Sequence, residues 1–393
     1  MMNEVFLEIG VKQNNKHGNL SCGDTFLSKK VKEENRLVAV LSDGLGSGVK
    51  ANVLSTMTAS MAINFILKDQ PIERTARSIM ETLPVDSIRN ISYSTFSIVD
   101  ISYDRETRII EYDNPSFIIV RKERIFLPPS KKTVIAYGGM ERTLLSSTFQ
   151  AQKGDRIIIL SDGVTQSGMG NKNLPFGWGA ADLKAFILEK IQKKPGISAS
   201  LLAKSIVNQS RLNDILEPRD DTSCAVIYFR NPRKLLLCTG PPYNEEKDKH
   251  LGEIVRNYPG KKIISGGTTA QILARELNTE IHVGLQMDKS GLPPISFMDG
   301  VDLVTEGILT LSKIGELLKG PPDQEYDRDS PAGQIFQLLM QNDIIDVVVG
   351  TKINNAHQDP NLPVELEIRR NLMKKIVFFL EEHHMKEVNI EFI

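Results

Sequence analysis

Short segments of alternating apolar and polar residues dominate the first 230 positions of the chain. Residues 5–11 alternate with period two, the pattern of a half-buried strand, whereas 36–42 and 156–161 are continuous apolar runs typical of buried strands. Between 92 and 137, short alternating segments separated by polar turns predict an antiparallel meander, since consecutive strands this close cannot be parallel. This part of the chain is therefore predicted to be rich in antiparallel sheet.

Helical periodicity appears in two pairs within the same region. A stretch over 49–68 is followed by a second from Pro71 to about 83, and helices are also expected near 180–192 and 197–213. In the first helix the predicted apolar face consists of Val53, Leu54, Met57, Met61, Ile63, Phe65 and Ile66. Antiparallel strands with paired helices predict an α+β domain.

The pattern changes after Asn231-Pro232. Strands over 234–240 and 261–265 alternate with helices over 245–257 and 268–277, as expected of a small α/β unit. We therefore place a domain boundary near 232, giving domains over 1–231 and 232–393.

Composition excludes several classes of protein. With 48 Lys plus Arg against 49 Asp plus Glu, the net charge of -1 argues against a nucleic-acid partner. No apolar run approaches the roughly 20 residues needed to span a bilayer, and the first residues lack the profile of a signal peptide. Three cysteines without a CxxC pair fit a reducing compartment, so we expect a cytoplasmic protein without disulfides or a thiolate zinc site.

Carboxylates carry the candidate chemistry. Leu41-Ser42-Asp43-Gly44 and Leu160-Ser161-Asp162-Gly163 are the same tetrapeptide, each placed where an apolar strand ends, so two strands are expected to present aspartates at one sheet edge. Asp24 and the pair Asp220-Asp221 also stand at strand junctions.

An isolated Asp-Gly after a strand is first of all a turn signal, and the inference therefore rests on the duplication and order of these sites. Carboxylates gathered closely repel one another unless cations neutralise them. Oxygen ligands without His or Cys favour Mg²⁺ or Mn²⁺ over zinc, and Gly44 can offer its carbonyl.

This ordered set resembles the metal-dependent protein phosphatase family, also called PPM or protein phosphatase 2C, in its bacterial branch typified by the sporulation stage II E phosphatase. The resemblance covers about 5–230 and is carried by GDTF (23–26), VLSDGLGSG (40–48), STFSIVD (94–100), NPSFIIVRK (114–122), GDRIIILSDGVTQSG (154–168) and DDTSCAVIYF (220–229). It implies a PPM-type αββα sandwich of antiparallel sheets.

The resemblance also implies roles for individual residues. Asp43 would bridge two Mn²⁺ or Mg²⁺ ions, with the Gly44 carbonyl on one and Asp162 and Asp220 on the other. Asp24 matches the family acid that holds a water on a metal. Asp221 stands where relatives have Asn or Asp and is expected to contact the metal ligands and not the metal itself. Asp43, Asp162 and Asp220 are thus the predicted catalytic set.

The implied reaction is hydrolysis of phosphoserine or phosphothreonine on a protein by water activated between two ions. Many eukaryotic relatives carry a His two positions after the bridging Asp as leaving-group acid, where this chain has Leu45. An N-terminal Arg that grips phosphate is also missing, and Lys12 or Lys16 are the substitutes nearest in sequence. The resemblance to the bacterial branch also implies that activity is switched through the helix pair, here over 49–83.

The alternative is a catalytically weak binding protein with a phosphatase fold, whose second domain senses a ligand or docks a partner. In that domain, Gly266-Gly267 follow a predicted strand, and Thr268-Thr269 are predicted to cap a helix over 270–277. Such a junction exposes backbone N–H groups to an anion, with 238–242 as the expected second wall. A small anionic ligand at Gly266, Gly267, Thr268 and Thr269 competes with plain capping, and the substrate, the stimulus and a homodimer stay open.

Overall fold

The chain forms two compact units, Met1–Asn231 and Pro232–Ile393. The computed structural model describes residues 5–31, 34–82, 94–102, 104–137, 140–284, 292–320, 325–352, 362–384 and 386–393. Within these ranges no helix combines the length and apolar character that crossing a membrane would need.

The first unit contains eleven strands and five helices among its described residues. In chain order these are β1 (Phe6–Asn14), β2 (Asp24–Val31), β3 (Arg36–Gly44), α1 (Val49–Leu67), α2 (Ile72–Thr82), β4 (Ser94–Ile101), β5 (Glu106–Tyr112), β6 (Ile118–Arg121), β7 (Arg124–Phe126), β8 (Ser130–Tyr137), β9 (Met140–Gln150), β10 (Arg156–Leu160), α3 (Asp162–Thr165), α4 (Gly179–Lys193), α5 (Ala199–Asn213) and β11 (Thr222–Arg230).

Two antiparallel sheets stack in this unit. One has the order β2-β3-β4-β5-β9-β8 and the other β1-β11-β10-β6-β7. Alternate residues such as Leu41, Ile159 and Phe229 fill the core between the sheets. The opposite face of the six-stranded sheet packs on α1 and α2, and that of the five-stranded sheet on α4 and α5. The predicted αββα sandwich is therefore confirmed.

The strands over 92–137 do not form one meander, so that prediction was wrong. β4 and β5 pair in the six-stranded sheet, β6 and β7 pair in the other sheet, and β8 and β9 return to the first. The turn over 113–117 carries the chain between the sheets. Its position is fixed by Glu111, whose Oε1 accepts a hydrogen bond of 2.6 Å from the backbone N of Phe117.

Helix α1 buries Leu54, Ile63 and Ile66 of the predicted face, but the rest of its buried side is different. Its buried side consists of Ala51, Leu54, Ser55, Thr58, Ala59, Ala62, Ile63 and Ile66. Val53 and Met57, expected to be buried, are 51% and 44% exposed, and Val49 at the start of the helix is 70% exposed. Small residues let the helix lie close to the sheet, and the periodicity of large side chains missed this. The second helix of the pair ends at Thr82; position 83 lies outside the described residues.

The second unit contains seven strands and five helices among its described residues. They are β12 (Lys234–Thr239), α6 (Glu246–Asn257), β13 (Lys261–Ser265), α7 (Gly267–Leu277), β14 (Ile281–Val283), β15 (Ser296–Met298), β16 (Val301–Thr305), α8 (Ile308–Lys319), α9 (Pro331–Gln341), β17 (Ile344–Val349), α10 (Leu362–Glu382) and β18 (Glu387–Phe392).

These strands form a single sheet with the order β14-β15-β16-β13-β12-β17-β18. The five strands from β16 to β18 are parallel, and β14 and β15 add an antiparallel hairpin at one edge. Helices α8, α9 and α10 cover one face, whereas α6 and α7 cover the other. Because parallel strands need crossover connections, this α/β architecture follows from the strand and helix alternation.

Helix α7 begins earlier than predicted. Gly266 is its N-cap residue with φ 134°, a backbone conformation that favours glycine, and no side chain caps the helix. Thr268 and Thr269 therefore lie in the first helical turn and are not capping residues, so the predicted cap is corrected.

Candidate active site

Two of the predicted carboxylates lie on the six-stranded sheet. Asp24 opens β2, Asp43 is the penultimate residue of β3, and the two are direct cross-strand partners. Leu41, two residues before Asp43, packs in the core between the sheets. Because side chains alternate along a strand, Asp43 faces the same side as Leu41, toward the other sheet. We call the space where the predicted aspartates meet between the sheets the aspartate cleft.

The others enter from the facing sheet. Asp162 is the first residue of α3, two residues after the end of β10, and Asp220 lies two residues before β11. The negative charges of Asp24, Asp162 and Asp220 all raise the pKa of Asp43, so the four carboxylates are neighbours. The aspartates thus meet across two sheets and not at one sheet edge, which corrects the sequence-based expectation.

Burial makes this cluster costly to ionise. Burial is the main cause that raises the pKa of Asp43 well above its usual range, followed by the charges of Asp24, Asp162 and Asp220. Burial also raises the pKa of Asp24 to about 7, although the nearby hydroxyls of Ser223 and Ser161 offset part of the rise. The pKa of Asp220 is raised mainly by burial as well. A positive charge in the cleft would relieve all three carboxylates.

Several buried carboxylate oxygens have no hydrogen-bond partner among the described residues. Both oxygens of Asp24 and Oδ2 of Asp221 are in this state. The other oxygen of Asp221 accepts a hydrogen bond of 3.0 Å from the backbone N of Lys16. An unsatisfied buried acceptor costs about 1–3 kcal/mol, so such oxygens mark a place for a cation.

The donor set fits a hard divalent cation. It consists of carboxylate oxygens, and the nearby Cys22 is not a thiolate, because burial and the charge of Asp24 raise its pKa to about 12. Within the described ranges, no three Asp, Glu, His or Cys side chains converge closely enough to hold one ion together.

Gly44 is required by its surroundings whether or not its carbonyl binds metal. A methyl group at this position would stand 2.1 Å from the carbonyl oxygen of Ala51 in α1. Gly23, next to Asp24, is restricted in the same way, since a methyl group there would stand 2.7 Å from Oδ2 of Asp221. The role of the Gly44 carbonyl as a ligand stays a prediction.

Two glutamines that the sequence reasoning missed hold the carboxylates in place. Gln13 Nε2 donates to the Asp24 carbonyl oxygen at 3.2 Å and to Ser223 Oγ at 3.0 Å, which joins the two sheets. Gln166 Nε2 donates to Asp162 Oδ2 at 2.8 Å. Neither residue stands out by composition, although Gln166 lies one turn after Asp162.

A hydroxyl network supports the end of β3. Ser94 Oγ donates to the Asp43 carbonyl oxygen at 2.9 Å. Thr95, the cross-strand partner of Asp43, donates to Asn114 Oδ1 at 2.5 Å. Asn114 also donates to Ser97 Oγ at 3.1 Å. These residues lie in the STFS and NPS motifs. The sequence therefore marked these positions but did not reveal that their side chains support the end of β3.

The predicted residues of the anion site belong to the second unit. Gly266 and Gly267 are half-buried, Thr268 is exposed and Thr269 is buried. The expected second wall over 238–242 is entirely buried and cannot face a ligand, which corrects that part of the prediction. The accessible neighbour is the end of β16, with Glu306 and Gly307, which the sequence reasoning missed.

Two antiparallel sheets flanked by helix pairs, with aspartates from both sheets in the cleft, define the first unit as a PPM-type phosphatase domain. The chain belongs to the SpoIIE family: residues 33–230 match the family model described as Stage II sporulation protein E (SpoIIE). Asp43, Asp162, Asp220 and Asp221 lie within the matched range, and Asp24 precedes it.

Individual relatives are more distant. The phosphoserine phosphatase RsbX of Bacillus subtilis (strain 168) is 28% identical over 156 residues, which cover 39% of this chain and 73% of RsbX. The solved phosphatase domain of SpoIIE from Bacillus subtilis is 18% identical, with a TM-score of 0.42, covering 59% of this chain and 95% of that chain. A crystal structure of RsbX in complex with magnesium is 22% identical, with a TM-score of 0.40, covering 58% and 98%.

Proposed function

We propose that this chain is a metal-dependent protein phosphatase that hydrolyses phosphoserine or phosphothreonine on a regulatory protein. The observation that carries the proposal is the cleft in which Asp24, Asp43, Asp162 and Asp220 meet from two sheets of a SpoIIE-family domain. RsbX, a phosphoserine phosphatase by name, supports the substrate class.

In their donor chemistry the residues present suit a pair of Mn²⁺ or Mg²⁺ ions, although no three of the described carboxylates converge on one ion. Asp43 would be shared, with the Gly44 carbonyl on one side and Asp162 and Asp220 on the other, while Asp24 and Asp221 offer their buried, unpartnered oxygens. When bound, such ions lower the pKa of water and neutralise phosphoryl charge. Because burial raises the pKa of Asp24 and Asp43, we expect ion binding to release protons.

Lys16 is the cation that we expect to orient the phosphate group. It is half-buried, its backbone N donates to Asp221, and its charge lowers the raised pKa of Asp220. Leu45 offers no proton to the leaving serine oxygen, so we expect solvent to supply it. A phosphate monoester held by Lys16 beside the carboxylate cleft is the substrate pose that this arrangement favours.

Helix α1 is the element through which we expect activity to be controlled. Asn52 Nδ2 donates to the Cys22 carbonyl oxygen at 2.8 Å, and Ser55 Oγ donates to the Gly23 carbonyl oxygen at 2.6 Å, so α1 holds the segment before Asp24. The same helix lies against Gly44 through Ala51. A shift of α1 would therefore move residues on both sides of the Asp24–Asp43 pair.

A binding protein without turnover is the competing function, and the retention of all four carboxylates favours the enzyme. The discriminating experiment measures phosphate release from phosphoserine, phosphothreonine and phosphotyrosine peptides with Mn²⁺, with Mg²⁺ and with chelator. We expect release from the first two peptides only and only with metal. Equal release in chelator would refute the mechanism, whereas no release with either metal would favour the binding protein.

A further inference from the structure

The second unit has the strand order of a doubly wound nucleotide-binding sheet. Numbered along the chain, its five parallel strands β12, β13, β16, β17 and β18 lie in the order 3-2-1-4-5. In sheets of this kind, ligands bind outside the carboxyl ends of the strands, usually where the strand order reverses. Here the reversal falls between β12 and β17.

That reversal point is closed by backbone contacts. A methyl group on Gly350, directly after β17, would stand 2.2 Å from the Gly240 carbonyl oxygen, and Gly350 N donates to the Thr239 carbonyl oxygen at 2.8 Å. Gly240 is buried, and a methyl group on it would stand 2.9 Å from a guanidinium nitrogen of Arg369. At these glycines the backbones that follow β12 and β17 are therefore in direct contact.

The neighbouring strand pair is open instead. Gly266, Gly267 and Gly307 follow β13 and β16, and all three are half-exposed. A methyl group on Gly266 would stand 3.3 Å from Thr269 Oγ1, and one on Gly307 would stand 3.6 Å from the Gly266 Cα. A methyl group on Gly267 would stand 3.7 Å from the Glu306 carboxylate. We call this space, which side chains would fill, the glycine notch.

Polar groups that lack partners face the glycine notch. Thr269 is 1% exposed, and its hydroxyl, directed at Gly266, makes no hydrogen bond to any described residue. The first helical N–H bonds of α7 and α8 are those of Ala270 and Leu311, which leaves the preceding N–H groups of both helices without intrahelical acceptors. Neither helix has a side-chain cap. These groups are therefore available to an anion at two adjacent helix N-termini.

Glu306 restricts the kind of anion. Its exposed carboxylate lies at the rim of the glycine notch, beside the start of α7, where it would repel a bare phosphate. A ligand that carries hydroxyl groups next to its phosphate can donate hydrogen bonds to Glu306, as ribose hydroxyls do to the acidic residue of dinucleotide-binding sheets.

We propose that the glycine notch binds a phosphorylated ribose, either free or as part of a nucleotide. The phosphate accepts hydrogen bonds from the N–H groups at the start of α7, and the ribose hydroxyls donate to Glu306. This site is distinct from the aspartate cleft and does not depend on the proposed phosphatase activity.

The test is calorimetric titration of the full chain in chelator, so that the aspartate cleft cannot retain phosphate through a metal. The probes are ribose 5-phosphate, adenosine monophosphate, adenosine and inorganic phosphate. We expect at least one of the phosphorylated riboses to bind about tenfold or more tightly than inorganic phosphate, and adenosine not to bind. Binding of only one phosphorylated ribose supports the proposal and identifies the source of the ligand.

Three variants locate the binding. Gly267→Ala fills the glycine notch at a helical position that tolerates alanine and should abolish binding without lowering the melting temperature. Glu306→Gln should weaken binding about tenfold, whereas Glu280→Gln, an exposed glutamate of the same unit, should not change it. The proposal is overturned if neither phosphorylated ribose binds at millimolar concentration, if inorganic phosphate binds as tightly, or if Gly267→Ala and Glu306→Gln bind like the unmodified chain.

Discussion

The tetrapeptide LSDG occurs twice in the aspartate cleft and adopts two different structures. In the first copy Asp43 and Gly44 are the last residues of strand β3, whereas in the second Asp162 and Gly163 begin helix α3. Both glycines touch backbone: a methyl group would stand 2.1 Å from the Ala51 carbonyl oxygen at Gly44 and 2.2 Å from the Asp221 carbonyl oxygen at Gly163.

Pairing on either side explains the difference. Asp43 has cross-strand partners on both sides, Asp24 and Thr95, so the extended backbone continues through it. The ladder of β10 with β11 ends at Leu160, and the Asp162 carbonyl oxygen instead accepts the helical bond from Gln166. Both copies of the motif thus place a carboxylate beside a tightly packed glycine, while the pairing with neighbouring strands determines the backbone conformation.

Removing either carboxylate should have the largest effect. Asp43→Asn and Asp162→Asn should each lower turnover about 1000-fold, because Lewis-acid stabilisation by a metal is worth several kcal/mol and each 1.36 kcal/mol is tenfold in rate. Phosphate release from a phosphoserine peptide measures this. Asp182→Asn, an exposed aspartate in α4, is the matched control and should retain full turnover. Near-normal turnover in either cleft variant would show that the two copies are not functionally equivalent.

The two glycines should be equally intolerant of substitution. Gly44→Ala and Gly163→Ala should each destabilise the first unit by about 2 kcal/mol, since both methyl groups meet backbone atoms. Gly196→Ala, where a methyl group meets no atom within 4 Å, should be nearly neutral. Chemical denaturation measures all three. A neutral Gly163→Ala would mean that the helical copy relaxes where the strand copy cannot.

The free energy of unfolding should depend on pH through the carboxyl group of Asp24, the cross-strand partner of Asp43 in the first LSDG copy. Its pKa is raised to about 7, so the folded chain holds this proton more tightly than the unfolded chain does. Stability without metal should therefore fall as pH rises from about 4 to about 7, and Mn²⁺ should restore it most at the upper end. Melting curves at each pH, with Mn²⁺ and with chelator, measure this.

Glu111 provides the control for that pH dependence. Burial raises its pKa to about 7 as well, but the charges that act on Asp24 are not among the causes. Glu111→Gln should reduce the pH dependence both with and without Mn²⁺, whereas Asp24→Asn should reduce the difference that Mn²⁺ makes. An Mn²⁺ effect that is unchanged in Asp24→Asn would contradict a role for Asp24 in ion binding.

The smallest effect is expected at the supporting hydrogen bond of the helical copy. Gln166→Leu removes the bond to Asp162 and should raise the Mn²⁺ concentration for half-maximal activity about threefold, because an exposed hydrogen bond contributes little. Gln209→Leu, a half-buried glutamine of α5, is the control. If maximal turnover fell while the Mn²⁺ dependence stayed the same, Gln166 would act on the substrate and not on Asp162.

Much of the fold was predictable because local patterns and final structure agree. The buried strands around 36–42 and 156–161 and the α/β alternation after 232 were confirmed. The sheet to which each strand belongs was not predictable, because that choice depends on long-range pairing. The buried face of α1 was predicted only in part, because Ala51, Ser55 and Ala62 pack it closely, whereas Met57 remains exposed.

The candidate site was predictable as residue types but not as geometry. Asp43 and Asp162 were identified from the repeated motif, yet their arrangement on two sheets required the topology. Gln13 joins positions about 210 residues apart in sequence, to Ser223, so no local pattern reveals it. Glu306 was missed for the same reason, since only the pairing of β13 with β16 places it beside Gly267.

The central claim is that carboxylates from both sheets hold divalent cations together, and direct counting of bound Mn²⁺ tests it without relying on turnover. Electron paramagnetic resonance of free Mn²⁺ during titration of the full chain gives the number of ions bound. We predict two ions for the unmodified chain and for Asp182→Asn, with at least one lost in both Asp43→Ala and Asp162→Ala. Equal binding by all four proteins would contradict the account.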